Sequence, residues 1–365
     1  MPFELPIYRK PDFKEERYVN APDVKTKAVL KDGVSPSYYH AMSIYPEYFK
    51  VEGQWLLASE SRMDCVAVTR SSMGKVGIDI VEFRNLIIGD QVVLGRSEDA
   101  SEGIYVHSNG FLQVDEKKDV FSFRSSRSRE TAYSKDYDEL YELLTYEKAN
   151  NGYVVWVLGP AVSFDKDARH AVSSLVEKGY VQALLAGNAL ATHDLEGSYL
   201  GTALGQDIYT QESVVNGHYH HLDLINKVRE YGSITKFIKG EDITGGIIAS
   251  CVKNNVPYVL SSSIRDDGPL PEVLHSAYES QDAMRAHTRK ATTLICLATQ
   301  LHTIAAGNMT PSYTSKDGIV RNVFIYSVDI SEFVVNKLRD RGTLEVKTLV
   351  TNVQDFVVHL DSNLK

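Results

Sequence analysis

The hydrophobic pattern of this chain changes partway along. From residue 152 onward, short apolar runs alternate with longer amphipathic stretches, and the runs GYVVWVLGPAV, VQALLA, PYVLSSS, NVFIYSVDI and VKTLVTNV each stop at Gly, Asn, Ser or Asp. Runs of this length, flanked by turn residues and rich in Val, Ile and Leu, predict buried strands. Between them ARHAVSSLVEKG, HLDLINKVREYG, TGGIIASCVKNN, TTLICLATQLHTIAAGNM, SEFVVNKLRDRG and the terminal segment carry helical spacing. About five strands alternating with helices predict an α/β fold built on a parallel, Rossmann-like sheet.

Upstream the rhythm is β-like. YFKVEGQWLLAS, CVAVTR, LIIGDQVVLG and EGIYVH are short alternating runs broken by Gly, Asp, Ser and Asn, which predicts a small β-rich domain with hairpin turns. Residues 1–27 are charged and proline-punctuated and predict an extended arm, suited to packing on a neighbouring subunit. Leu140, Leu143 and Leu144 predict one amphipathic helix over 136–149, behind a basic, serine-rich tract, SFRSSRSRE, that reads as a solvated linker. The expected organisation is therefore an arm (1–27), a small β-rich domain (28–115), a linker and helix (116–151) and an α/β domain (152–365).

In an open α/β sheet, ligands sit outside the carboxyl ends of the strands. The predicted strand ends are Gly159-Pro160-Ala161, Gly187-Asn188, the segment 262–268 (SSIRDDG), Asp329-Ile330 and Thr351-Asn352. Asp329 suits a ribose hydroxyl, or else simply caps a helix starting at Ser331. Arg265 suits a carboxylate and the neighbouring Asp266 and Asp267 an ammonium, with an internal Arg–Asp pair as the structural alternative. The stretch 181–205 adds His193, Asp194 and Glu196, and NGHYHH adds His218, His220 and His221, of which His218 or His221 suits acid–base or hydrogen-bonding work. The 218–221 histidines lack a carboxylate or cysteine partner at a ligand spacing, so no metal is expected.

Composition narrows the partners. A net charge of −9 and a pI near 5.7 argue against a nucleic-acid binder and for a small-molecule ligand. No apolar run approaches the ~20 residues of a membrane span, and the amino terminus lacks a signal-peptide core, so a cytoplasmic protein without membrane partners is expected. Cys65, Cys251 and Cys296 are widely spaced without a CxxC, and Cys251 and Cys296, in apolar helical surroundings, read as buried thiols. There is no GxGxxG fingerprint and no GxSxG elbow.

LLAGNALATHDLE, GTALG, NGHYHHLDLINKVREYGSI, CVKNNVPYVLSSSIRDDGPLP, QDAMR, LHTIAAGNM, VDIS and KLRDRG together resemble the archaeal-type, NAD-dependent ornithine cyclodeaminases, which also form the carboxyl-terminal part of bifunctional arginine dihydrolase/ornithine cyclodeaminases. QWLLASESRMDC and the segment after it resemble the domain named for lysine-oxoglutarate reductase/saccharopine dehydrogenase. The resemblance implies a deoxyhypusine-synthase-like cofactor domain, a bound NAD that is not consumed, conversion of L-ornithine to L-proline and ammonia, and a homo-oligomer. It implies proton transfer by residues among Asp266, Asp267, His218, Asp194 and Glu196. Substrate contacts would come from Arg265, His193, Asn216, His221 and Asp64. NAD contacts would come from Gly159, Pro160, Ala161, Gly187, Asn188, Ala189, Ser263, Ile264, Asn308, Met309, Asp329, Ile330, Thr351 and Asn352. The chain departs from the family pattern at Phe164-Asp165-Lys166-Asp167, where a glycine-rich turn is usual, and also at Tyr219-His220, Ser261-Ser262 and Thr351-Asn352. The alternatives are a related diamino acid, a dehydrogenase or imine reductase with net redox, and a non-catalytic NAD- or amino-acid-binding paralogue.

Overall fold

The computed structural model describes residues 3–72, 75–111, 133–266, 268–316, 318–331 and 343–365. The basic serine-rich tract, Asp267 and the helix expected over 331–342 lie wholly or almost wholly outside the described residues.

The first part of the chain folds as strands β1 (Lys25–Ala28), β2 (Glu47–Val51), β3 (Gln54–Leu57), β4 (Cys65–Ser72), β5 (Lys75–Glu82), β6 (Gln91–Leu94) and β7 (Ile104–Val106). They make two antiparallel sheets, ordered β1-β6-β4-β5 and β3-β2-β7. In β4 the two-residue period of a strand divides the side chains between two cores: Cys65 and Ala67 join Phe49 and Ile104, whereas Val66 and Val68 join Val29 and Leu86.

The expected arm packs on its own chain. Phe13 stacks on Trp55 at 5.1 Å, and Tyr18, in a short helix α1 (Glu16–Val19), is buried. Lys50 Nζ donates to the carbonyls of Tyr18, Val19 and Ala21 at 3.1, 2.8 and 2.7 Å. Phe3 reaches farther, to 5.4 Å from both Tyr146 and Phe324. The polar composition of the arm concealed these aromatic anchors, which carry the apolar area that holds it down.

After helix α2 (Tyr133–Ala149) come β8 (Val154–Leu158), α3 (Lys166–Glu177), β9 (Ala183–Gly187) and α4 (Asn188–Tyr199). A small hairpin, β10 (Thr202–Ala203) with β11 (Gln206–Asp207), leads to α5 (Gly217–Tyr231), α6 (Ile234–Gly240), α7 (Ile247–Lys253) and β12 (Tyr258–Ser261). The rest is α8 (Ala277–Thr288), β13 (Thr293–Leu297), α9 (Gln300–Met309), the hairpin β14 (Tyr313–Lys316) with β15 (Ile319–Asn322), then β16 (Phe324–Asp329), β17 (Glu345–Val350) and α10 (Val353–Asn363). Six of the described strands form one parallel sheet, ordered β12-β9-β8-β13-β16-β17. Every side chain of β8 is buried, as a strand covered on both faces requires. One face packs on α3, α7 and α10 through residues such as Leu175, Ile248 and Phe356, and the other on α8 and α9 through Met284 and Ala306.

The single long helix expected over 292–309 is corrected. Thr293–Leu297 is the sixth strand, paired with β8 and β16, and only Gln300–Met309 is helical. Cys296 is accordingly buried in a strand. No Gly or Pro separates the two elements; Ala298 makes the break by taking a left-handed φ of 52°.

Candidate functional site

The strand order reverses between β8 and β13, and the polar strand ends gather along that edge. Gly159 closes this switch point: a Cβ there would meet the Ala298 carbonyl oxygen at 1.9 Å. Pro160 opens a 3₁₀ turn, Pro160–Ser163, and Gln354 on α10 donates to the Ala161 carbonyl at 3.0 Å. The departure at Phe164-Asp165-Lys166-Asp167 finds a local use, because Asp165 caps α3 by accepting from Ala168 N–H at 2.8 Å. Gly187 precedes α4, with His302 of α9 close enough that a Cβ at Gly187 would lie 3.0 Å from its ring; burial lowers the His302 pKa. Asn188 is buried and accepts from Leu270 N–H at 3.0 Å, while Ala189 is half-buried beside it. Asp329 Oδ1 accepts from Ser331 N–H at 2.8 Å, and Oδ2 has no partner among the described residues. Thr351 N–H donates to the Asp329 carbonyl at 3.1 Å, and Asn352 caps α10.

Residues 193–196 sit on α4, in a buried corner behind this edge. Asp194 is fully engaged: Oδ1 accepts from Arg169 Nε and Ile247 N–H, each at 3.0 Å, and Oδ2 from Ile248 N–H at 2.8 Å. It thereby binds α3, α4 and the start of α7 together. Glu196 is equally buried, accepting from Thr202 Oγ at 2.9 Å, Gly205 N–H at 3.0 Å and Leu204 N–H at 3.2 Å, with His193 Nδ1 at 3.3 Å. Burial pulls its carboxyl upward, but the bonds from His193, Gly205 and Thr202 prevail and hold it below the ordinary glutamate value. Thr202 Oγ also meets His220 Nδ1 at 2.8 Å. Gly205 and Gly217 make this convergence possible, since a Cβ on Gly217 would stand 2.3 Å from the Gly205 carbonyl oxygen.

Asn216 starts α5 with a φ of 62°, and His218 is exposed. The His221 ring is 5.4 Å from that of His193, and His193 is 5.2 Å from Phe164. Burial lowers the His221 pKa, assisted by His193 and opposed by Glu196 and Asp266. One ligand-type atom from each of His193, Glu196 and His221 lies within 4.8 Å of the others, a grouping compact enough for a cation. Sequence reasoning sought metal ligands within 218–221 and missed this trio, because two of its members come from another helix.

The segment after β12 is open by contrast. Asp266 Oδ2 accepts from Ser263 N–H at 2.6 Å and its own N–H returns to the Ser263 carbonyl at 3.1 Å, a local turn that leaves Arg265 exposed. Ile264, Leu301 and Ile330, which follow β12, β13 and β16, are 107%, 73% and 75% exposed.

Three of the expected residues line a cavity that Leu301 and Ile304 of α9 also line. Helix α9 runs back from the strand ends, so Asn308 and Met309 sit at its far end, lining with Asp64 this cavity of about 430 Å³ between the β-rich part and α8–α9. Ion pairs rim that cavity, Arg84 with Asp282 and Arg285 with Glu82. Cys65 is buried beside it, and burial pushes its thiol up to about 12.

A doubly wound parallel sheet with polar strand ends collected at the switch point defines a Rossmann-fold protein. Residues 139–360 match the family described as arginine dihydrolase ArgZ-like, C-terminal, Rossmann fold. The ornithine cyclodeaminase of Archaeoglobus fulgidus is 37% identical over 362 residues, covering 98% of this chain and 81% of that one. The crystal structure of the LOR/SDH protein of Methanococcus maripaludis S2 is similar with a TM-score of 0.82 and 33% identity, over 94% of this chain and 98% of that chain. AgrE, solved as a ternary complex with ornithine and NAD⁺, matches at 33% identity with a TM-score of 0.59, over 94% of this chain and 46% of that chain. The chain belongs to the ArgZ-like C-terminal Rossmann family, whose curated relatives are enzymes named ornithine cyclodeaminases.

Proposed function

We propose that this chain is an NAD-dependent ornithine cyclodeaminase, converting L-ornithine to L-proline and ammonia with no net oxidation or reduction. The observation that carries this reading is the arrangement of the carboxyl edge, read beside near-complete alignment with ornithine cyclodeaminases. A carboxylate oxygen on Asp329 with no partner among the described residues suits a ribose hydroxyl, and bare aliphatic side chains at Ile264 and Ile330 suit the rings of a dinucleotide. When bound, NAD would supply a reversible hydride acceptor.

The chain's own residues do the rest. Arg265, exposed and without a described side-chain partner, is suited to clamp the substrate α-carboxylate. Asp266 faces His221 electrostatically and supplies negative charge toward an ammonium. Holding the two ends of the diamine within one crevice converts ring closure into a local encounter, which lowers the barrier by proximity. His193 and His221 are the imidazoles nearest this crevice that can carry a proton between the amines.

Incubation of the purified protein with L-ornithine, with and without added NAD, tests the proposal. Equal amounts of proline and ammonium with no net NADH are expected. Steady accumulation of NADH would instead indicate a dehydrogenase, and bound NAD without any product would indicate a binding protein.

A further inference from the structure

The hydrogen bonds around Glu196 determine where hydrogens sit on its neighbours. Its oxygens accept from Thr202 Oγ, Gly205 N–H and Leu204 N–H, and the remaining direction faces His193 Nδ1 at 3.3 Å. An ionised carboxylate accepts only, so Nδ1 of His193 carries the hydrogen, and the tautomer of the neutral ring is the one with its lone pair at Nε2. Thr202 has one hydroxyl hydrogen, which goes to Glu196. Its 2.8 Å contact with His220 is therefore filled by a hydrogen on His220 Nδ1. One buried carboxylate thus sets the tautomers of two histidines, and both are left with an accepting Nε2.

His221 completes the corner. Its Nδ1 is buried with no hydrogen-bond partner among the described residues, a nitrogen left for an atom that the chain does not supply. The compact spacing of His193, Glu196 and His221 suits a cation, which could be a metal ion or an ammonium. A metal would need a lone pair from Glu196, and the four acceptor directions of that carboxylate already face donors. An amine needs acceptors, and the imidazole nitrogens offer them.

The geometry points to an amine subsite formed by His193 and His221, in which Glu196 is a positioning residue that keeps His193 in the Nδ1–H form. This deepens, and rests on, the ornithine reading. The substrate enters with its amines protonated, and the step assigned here is one proton transfer: an N–H bond of the substrate ammonium breaks, its electron pair stays on that nitrogen as a neutral amine, and the proton binds His193 Nε2. Glu196 touches no reacting atom and acts only through the imidazole.

The test is long-range ¹⁵N–¹H NMR on histidine-labelled protein without substrate, with the His193 signals assigned by their absence in His193→Gln. The Nδ1–H tautomer is expected in the wild type. Glu196→Gln is expected to give mixed tautomers, a kcat reduced roughly 100-fold with KM within about threefold, and a displaced acidic limb of the pH profile, with Glu196→Asp recovering part of the loss. An Nε2–H tautomer in the wild type, undiminished turnover in a folded Glu196→Gln, or a stoichiometric metal retained on His193 through dialysis would each overturn the assignment. The NMR signal is recorded without substrate and speaks to Glu196 alone. A wild type that makes no proline speaks against the ornithine reading alone.

Discussion

The buried corner around α4 and the open segment after β12 both place carboxylates beside the carboxyl edge of one sheet, yet they are built in opposite ways. In the corner, Asp194 and Glu196 are wholly buried and accept from backbone, arginine, threonine and histidine donors. In the segment, Asp266 bonds within its own turn alone among the described residues, and Arg265 and Ile264 stand in solvent. The two carboxylates of the first arrangement are satisfied within the chain, whereas the second leaves polar and apolar groups facing outward. Rigidity on one side and availability on the other fit the base and the substrate clamp proposed for these two regions.

That contrast can be broken most severely at Asp194. Asp194→Ala leaves the buried Arg169 guanidinium without its carboxylate and two amides of α7 uncapped, so denaturant unfolding should show a loss of about 3–5 kcal/mol. A loss below about 1 kcal/mol would mean that the corner is not the rigid half. Arg265→Ala should do the reverse, leaving stability within about 0.5 kcal/mol and weakening ornithine by about 2 kcal/mol, seen as a KM raised by more than tenfold. The smallest effect belongs to His221. Burial lowers its pKa in the folded chain, so the unfolded chain takes up a proton near pH 6.5 while the native ring resists it. The corresponding stability is full above pH 6.5 and is lost as the pH falls toward the lowered native value. Melting curves of His221→Asn should therefore decline less steeply than those of the wild type between pH 7 and 5.

The strand-and-helix rhythm was legible because buried strands leave dense apolar runs that end at Gly, Asn or Ser. TLICL escaped, since its apolar run passes into α9 through Ala298 and Thr299 with no turn residue to mark the join. The acids of α4 were recognised as unusual, but their roles depend on partners far along the chain: Arg169 precedes Asp194, and Ile247 follows it. Sequence shows an acid; only packing shows whether donors surround it. Asn308 and Met309 were grouped with the cofactor residues by motif, and the direction of α9 carries them to the opposite end of that helix.

The pairing of Val154 with Thr293 sets an order of events during synthesis. Strands β8, β9 and β12 can assemble once residue 261 has emerged, but the inner edge of β8 then stands bare until β13 arrives. A bare, fully apolar edge is a template for wrong pairing as well as right. Gly159 can close on Ala298 only at the end of that wait. A chain cut short within this interval would therefore be a hazard rather than a weaker enzyme, holding a finished buried corner beside an unguarded seam.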